Sequence, residues 1–116
     1  MSQRPAAVTL LGSDLIMASR IRSALSPHRL QLLQVSRGDQ VGPSRLVFVD
    51  LNADVEARIS AIARMRHRED LASIVAFCDH DQDGVMKRAM AAGASQVVAN
   101  RHVATAAARL AAGMAY

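Results

Sequence analysis

One cysteine (Cys78), no tryptophan and 3% aromatic residues are the first scarcities of this 116-residue chain. A lone cysteine forms no internal disulfide, which suits a reducing compartment. Phe48, Phe77 and Tyr116 are the only phenylalanine or tyrosine rings, too few for a platform on which single-stranded bases stack. No apolar run approaches the roughly 20 residues a membrane-spanning helix needs, so no membrane partner is expected. The opening Met1–Pro5 carries one positive charge, and Ser13 and Asp14 break the apolar stretch behind it. No secretory leader is read there, and the cytoplasm is the expected compartment.

Hydrophobic residues make up 51% of the chain and charged residues 21%, enough apolar surface for one buried core and one domain over residues 1–116. Basic residues outnumber acidic ones by fourteen to ten, for a net charge of +4. Thirteen of the fourteen are arginine, and Lys87 is the only lysine. Arginine forks suit phosphate and carboxylate, which raises nucleic acid as a partner. Against it, the arginines are scattered from Arg4 to Arg109, with only Arg64, Arg66 and Arg68 closely grouped.

Apolar runs alternate with amphipathic stretches. Val8–Leu11 reads as a buried strand, ended by Gly12-Ser13-Asp14 as a helix cap. Met17, Ile21 and Leu25 repeat at helical spacing until Ser26-Pro27 stops the helix. Leu30–Val35 reads as a second strand. Ser36–Ser44, with Gly38, Gly42 and Pro43, is too broken for more than a turn of helix. Arg45–Asp50 is the strongest strand signal, and Asp54 and Glu56 open a helix to about Arg66 with Val55, Ile59 and Ile62 as its stripe. Ser73–Phe77 is a fourth strand, Val85–Ala92 a helix ended by Gly93, Gln96–Ala99 a fifth strand, and Ala104–Ala112 a helix ended by Gly113. Continuous apolar strands between amphipathic helices imply an α/β fold with a doubly wound, five-stranded parallel sheet. Sites in such sheets form beyond the carboxyl ends of the strands, which places Gly12, Ser13, Asp14, Asp50, Cys78, Asp79 and Asn100 on one rim.

Two stretches carry a family likeness. Val47-Phe48-Val49-Asp50-Leu51-Asn52 resembles the third strand of CheY-like response-regulator receiver domains, where the terminal aspartate accepts a phosphoryl group. Ala89-Met90-Ala91-Ala92-Gly93-Ala94-Ser95-Gln96-Val97-Val98 is similar to the stretch in which their fourth helix leads into strand five. The resemblance spans nearly the whole chain. It implies a flavodoxin-like sheet of order 2-1-3-4-5, here with the second helix short or missing, and a role in two-component signal transduction of bacterial type.

The departures concern chemistry. Receivers hold magnesium with an acidic pair after strand one; this chain has Gly12-Ser13 there, with only Asp14 following. Cys78 stands where they have Ser or Thr, and Asn100-Arg101-His102 where they have Lys-Pro. Phosphoryl transfer to a carboxylate needs a metal and a cation to neutralise developing charge. Asp50, Asp14, Ser13, Gly12, Cys78, Asn100 and Arg101 therefore read as a vestigial phosphoacceptor pocket with no metal and no cofactor. Asp50 is expected instead to cap the next segment or to bond nearby backbone amides.

Other patterns point less far. Asp79-His80-Asp81-Gln82-Asp83-Gly84 resembles the opening of a calcium loop, but its twelfth position is Met90 rather than glutamate, so an acidic loop capping the following helix fits better. Cys78 and His80 form no second pair for zinc, and nearby acids should raise the thiol pKa. No nucleophile triad or phosphate-cradling loop is present, so no enzyme is expected. The expected function is a pseudo-receiver acting by phosphorylation-independent protein–protein interaction, with another signalling protein or a second copy as partner. The resemblance implies a contact face with Met86, Met90, Val98, Arg101, Ala106 and Arg109. The alternatives are a receiver still phosphorylated on Asp50, and an arginine-dependent phosphate- or nucleic-acid-binding module using Arg64, Arg66, Arg68 and Arg101.

Overall fold

The computed structural model describes residues 7–114. The start of the chain, on which the argument against a leader rests, and Tyr116 lie outside them. Five strands, β1 (Val8–Leu11), β2 (Leu32–Val35), β3 (Ser44–Asp50), β4 (Leu71–Cys78) and β5 (Gln96–Ala99), form one parallel sheet of order β2-β1-β3-β4-β5. Three α-helices connect strands, α1 (Leu15–Leu25), α2 (Val55–Met65) and α3 (Asp83–Ala92), and a fourth, α4 (Val103–Met114), follows β5. None is long and apolar enough to cross a membrane.

The sheet is covered on both faces, which is why its central strands are apolar without alternation. On one face, Met17, Ala18, Ile21 and Leu25 of α1 and Val103, Ala107 and Ala111 of α4 pack on Val8, Leu10, Leu46, Phe48, Val75 and Phe77. On the other, Ala61, Ile62 and Met65 of α2 and Ala89 of α3 pack on Leu11, Val47, Val49, Ile74, Ala76 and Cys78. Between β2 and β3 only a 3-10 turn, Gly38–Gln40, replaces a connecting helix, as the glycines and proline of that segment led one to expect.

Several boundaries differ from the sequence reading. Leu30 does not open β2, because Arg29 turns left-handed at φ 58 and the Leu30 N–H bonds back to Leu25 O. β4 extends to Leu71–Cys78, paired along its length with β3. α3 starts at Asp83, and no side chain caps its N-terminus, so the acidic loop does not serve as its cap. α4 runs through Gly113 to Met114, whose carbonyl accepts from Arg45 Nη1 at 3.0 Å. Gly93 does end α3, with φ 122. A side chain there would also meet Arg66, since an added Cβ falls 2.6 Å from Arg66 Cβ. Arg66 Nη1 in turn donates to the last carbonyls of α3, Ala91 O and Ala92 O, each at 3.3 Å.

Candidate functional site

The carboxyl ends of β1, β3, β4 and β5 bring Gly12, Asp50, Asp79 and Asn100 to one rim. Asp50 closes β3 and is 4% exposed. Its Oδ1 accepts from the Asn52 backbone N–H and from Asn52 Nδ2, both at 2.8 Å. The carboxylate is thus tied to its own loop, one of the two roles expected for it.

A second amide continues the connection. Asn52 Nδ2 donates to Asn100 Oδ1, and Asn100 Nδ2 donates back to Asn52 Oδ1, both at 2.9 Å. Asn100 Nδ2 also donates to Asp79 Oδ1 at 2.9 Å. The reciprocal amide pair therefore bridges the carboxylates of Asp50 and Asp79, with every amide N–H and oxygen engaged. Such a fully satisfied network holds its members in fixed geometry. It ties together the ends of β3, β4 and β5. Asn52 was missed as a site residue because nothing local distinguishes it; its partner stands 48 positions away.

Gly12 explains the missing acid after β1. An added Cβ at residue 12 would stand 2.7 Å from Asp50 Cβ and 3.4 Å from Asp50 Oδ2. The Gly12 backbone is fixed on its other side, its N–H bonding Val35 O and its carbonyl accepting from Gln34 Nε2, both at 2.9 Å. Ser13 is exposed, and Asp14 turns its carboxylate to the start of α1, where Oδ1 accepts from Ile16 N at 2.9 Å and Met17 N at 3.1 Å. This is an N-cap, and it engages the one acid that follows Gly12-Ser13.

A magnesium site asks for several oxygen ligands in near-octahedral order. Here Asp50 offers one unengaged oxygen, Gly12 offers no side chain and Asp14 is committed to the helix. Among the described residues no three of His, Cys, Asp and Glu gather into a group able to hold a metal. The residues present do not fit the ion. Arg101, the cation that directly follows β5, donates its Nε–H to His102 Nε2 at 3.2 Å.

Cys78 is 1% exposed and packs in the core between the sheet and α2 and α3. Burial above all, with the Asp79 and Asp81 charges adding, pushes its thiol above the ordinary pKa. It is therefore a packing residue rather than a nucleophile.

Beneath the site lies Arg58, which the sequence reading placed on no face. The buried side of α2 is Arg58, Ala61, Ile62 and Met65, while Ala63 is exposed. Arg58 Nη1 donates to Asp50 O at 3.0 Å and Ala53 O at 3.3 Å, holding the loop after β3 from below. A guanidinium at a helical position beside apolar residues reads as solvated in sequence, and the carbonyls turned toward it, with the Asp54 carboxylate 3.6 Å from Nη2, make burial tolerable.

The residues named for partner contact divide. Met90 is 49% exposed, Arg101 and Arg109 are exposed, and Met86 and Val98 are half-buried. Ala106 is 4% exposed and belongs to the buried side of α4, a correction that follows from helix phase. Nor do Arg64, Arg66, Arg68 and Arg101 form one patch. Arg66 caps α3, and Arg68 pairs with Asp70 at 2.6 Å and donates to Val41 O, both away from the rim that carries Arg101.

No family model matches the sequence, and no curated protein matches it. Solved structures do. A response regulator from Thermotoga maritima superposes with a TM-score of 0.75 at 14% identity, over 97% of this chain and 98% of its own. A CheY-like protein, TadZ, from Pseudomonas aeruginosa gives 0.73 at 15%, over 93% and 91%. The receiver domain of a sensor histidine kinase from the same organism, solved with magnesium coordinated in its active-site cleft, gives 0.73 at 16%, over 93% and 95%. With this sheet order and these neighbours, the chain has the flavodoxin-like fold of CheY-like response-regulator receiver domains.

Proposed function

We infer that this chain is a receiver-like signalling module of the two-component type that acts by binding another protein or a second copy of itself, without catalysis and without phosphorylation of Asp50. The observation that carries the reading is the contact of Gly12 with Asp50. A side chain at residue 12 has no room, so the acidic pair of a magnesium pocket has no place beside this aspartate. Two further features support it: Asp14 is spent on a helix cap, and Asp50 is held by Asn52. Without metal and cation, the approach of a phosphoryl group to a carboxylate meets uncompensated negative charge. Met86, Met90, Val98, Arg101 and Arg109 are the surface through which such a module would act. Methionine side chains adapt to varied partners, and the flanking arginines supply forks for carboxylates.

The test is intact-protein mass after incubation with magnesium and acetyl phosphate, beside the Asp50→Asn protein. No mass gain is expected in either. A phosphoryl-sized gain in the wild type alone would overturn the reading and make Asp50 a working phosphoacceptor.

A further inference from the structure

Leu32 packs on the α1 side of the sheet and Val35 on the α2 side, so the alternation of β2 puts Leu33 on the α2 side as well. Only a turn joins β2 to β3, no helix covers Leu33 there, and its side chain is 48% exposed. β2 is also an outer strand of the sheet. The Gly12 N–H bonds Val35 O, and a parallel ladder alternates along the strand. Leu33 and Val35 therefore turn their backbone groups to β1, while Leu32 and Gln34 turn theirs outward, where no strand meets them among the described residues. Natural edges are guarded by charge, proline or a bulge. Leu30–Ser36 holds no charged residue and no proline, and its register with β1 runs unbroken.

The α1 side of this edge is cationic. A cleft of about 520 Å3 lies beside the start of β2, and its lining includes Arg22, Arg29, Leu30 and Leu32. Arg22 and Arg29 are exposed, and neither forms an ion pair among the described residues. From Leu15 to Gly38 the sequence has Arg20, Arg22, Arg29 and Arg37 and no acid to offset them. A second copy is therefore a poor occupant. β2 paired with its own image would set Arg22 and Arg29 against arginines on the same face, and like charges across a strand pair destabilise it. The other edge strand, β5, has no acid either and carries Arg109 against Gln96.

We propose that the outer edge of β2 takes, as an added strand, an extended segment of a partner protein in which acidic and apolar residues alternate. The period of two along a strand puts the acidic side chains on the α1 side, beside Arg22 and Arg29, and the apolar ones on the side where Leu33 is bare. The main chain of the segment pairs with the N–H and C=O groups of Leu32 and Gln34. Those bonds supply affinity, and the unlike chemistry of the two faces selects the partner. β2 and β5 are opposite edges of the sheet, so this surface is separate from the one that includes Val98 and Arg109. Nor does it depend on whether Asp50 is phosphorylated.

The test is a titration of the full 15N-labelled chain with a nine-residue peptide alternating glutamate and valine, followed by NMR shifts and amide hydrogen exchange. Saturable binding is expected, with exchange slowed at Leu32 and Gln34 and little changed at Leu33 and Val35, which already face β1. Arg22→Glu and Arg29→Glu, at exposed positions, should keep the spectrum of a folded protein and each weaken binding about tenfold, the loss of one charge-assisted hydrogen bond. The double variant should instead bind a lysine–valine peptide of the same length, which the wild type does not. Shifts that never saturate, unchanged affinity in both single variants, or shifts confined to Met90 and Arg101 would each overturn the proposal. Tighter binding of a nine-nucleotide oligothymidylate would do the same. Protection of Leu32 and Gln34 that grows with protein concentration in the absence of peptide would make a second copy the occupant, and would also overturn it.

Discussion

Replacing Gly12 by alanine tests the contact on which the functional reading rests. The new Cβ would lie 2.7 Å from Asp50 Cβ, against 3.4 Å for the closest ordinary contact. Neither atom can give way cheaply. Asp50 Cβ hangs from β3, a strand paired on both sides by β1 and β4, and residue 12 is held by bonds to Val35 and Gln34. Overpacking of this kind costs about 1–3 kcal/mol. The residue has no positive φ, so alanine returns about 0.4–1 kcal/mol by restricting the unfolded chain. A net loss of about 1–2 kcal/mol is expected, a fall in Tm of about 3–8 °C for a domain of this size. Urea denaturation of four proteins (wild type, Gly12→Ala, Asp50→Gly and the double variant) isolates the cause. Asp50→Gly removes the opposing Cβ, so in that background Gly12→Ala should be neutral or stabilising. An equal cost in both backgrounds would refute the steric account, and with it the explanation of why this chain has no acid at position 12.

Two further expectations are checked by simpler means. Gly93→Ala should destabilise by about 2 kcal/mol in denaturant unfolding, because φ 122 is closed to alanine and its Cβ meets Arg66. Trimming Arg66 to alanine should remove the contacts with its Cγ and Cδ but leave most of the cost, because the 2.6 Å contact is with Arg66 Cβ, which alanine keeps, and the backbone strain remains. The Cys78 thiol titrates above its ordinary 9.0 in the folded chain, chiefly through burial. A folded-state pKa raised in this way means that the unfolded chain loses the proton first, so this contribution is intact below pH 9 and is lost as pH rises from there through the folded value. The stability difference between wild type and Cys78→Ala should accordingly shift against the wild type in that alkaline window. A pH-independent difference would show that the thiol is less shielded than its burial indicates.

Sequence alone determined the elements whose causes are local. Four apolar residues in a row before Asp50, the cap at Asp14, the Ser26-Pro27 stop and the glycine after α3 each act within a few residues of themselves. The apolar strands likewise demanded cover on both faces, and the broken segment at 36–44 announced a missing helix. The tertiary structure decided what the rim can do. Gly12 could be read as an absence of acid, but only the β1–β3 pairing shows that Asp50 fills the space. The Asn52–Asn100 pair, the cap that Arg66 gives to α3 and the burial of Arg58 join residues from separate elements or hide charge on an apparently solvated helix. Ala106 fell inside for a similar reason, since an alanine-rich helix carries no apolar stripe to reveal which side it buries. Periodicity reports which residues leave water together. Which donor meets which acceptor across the sheet is set by packing, and that information is not local to any stretch of chain.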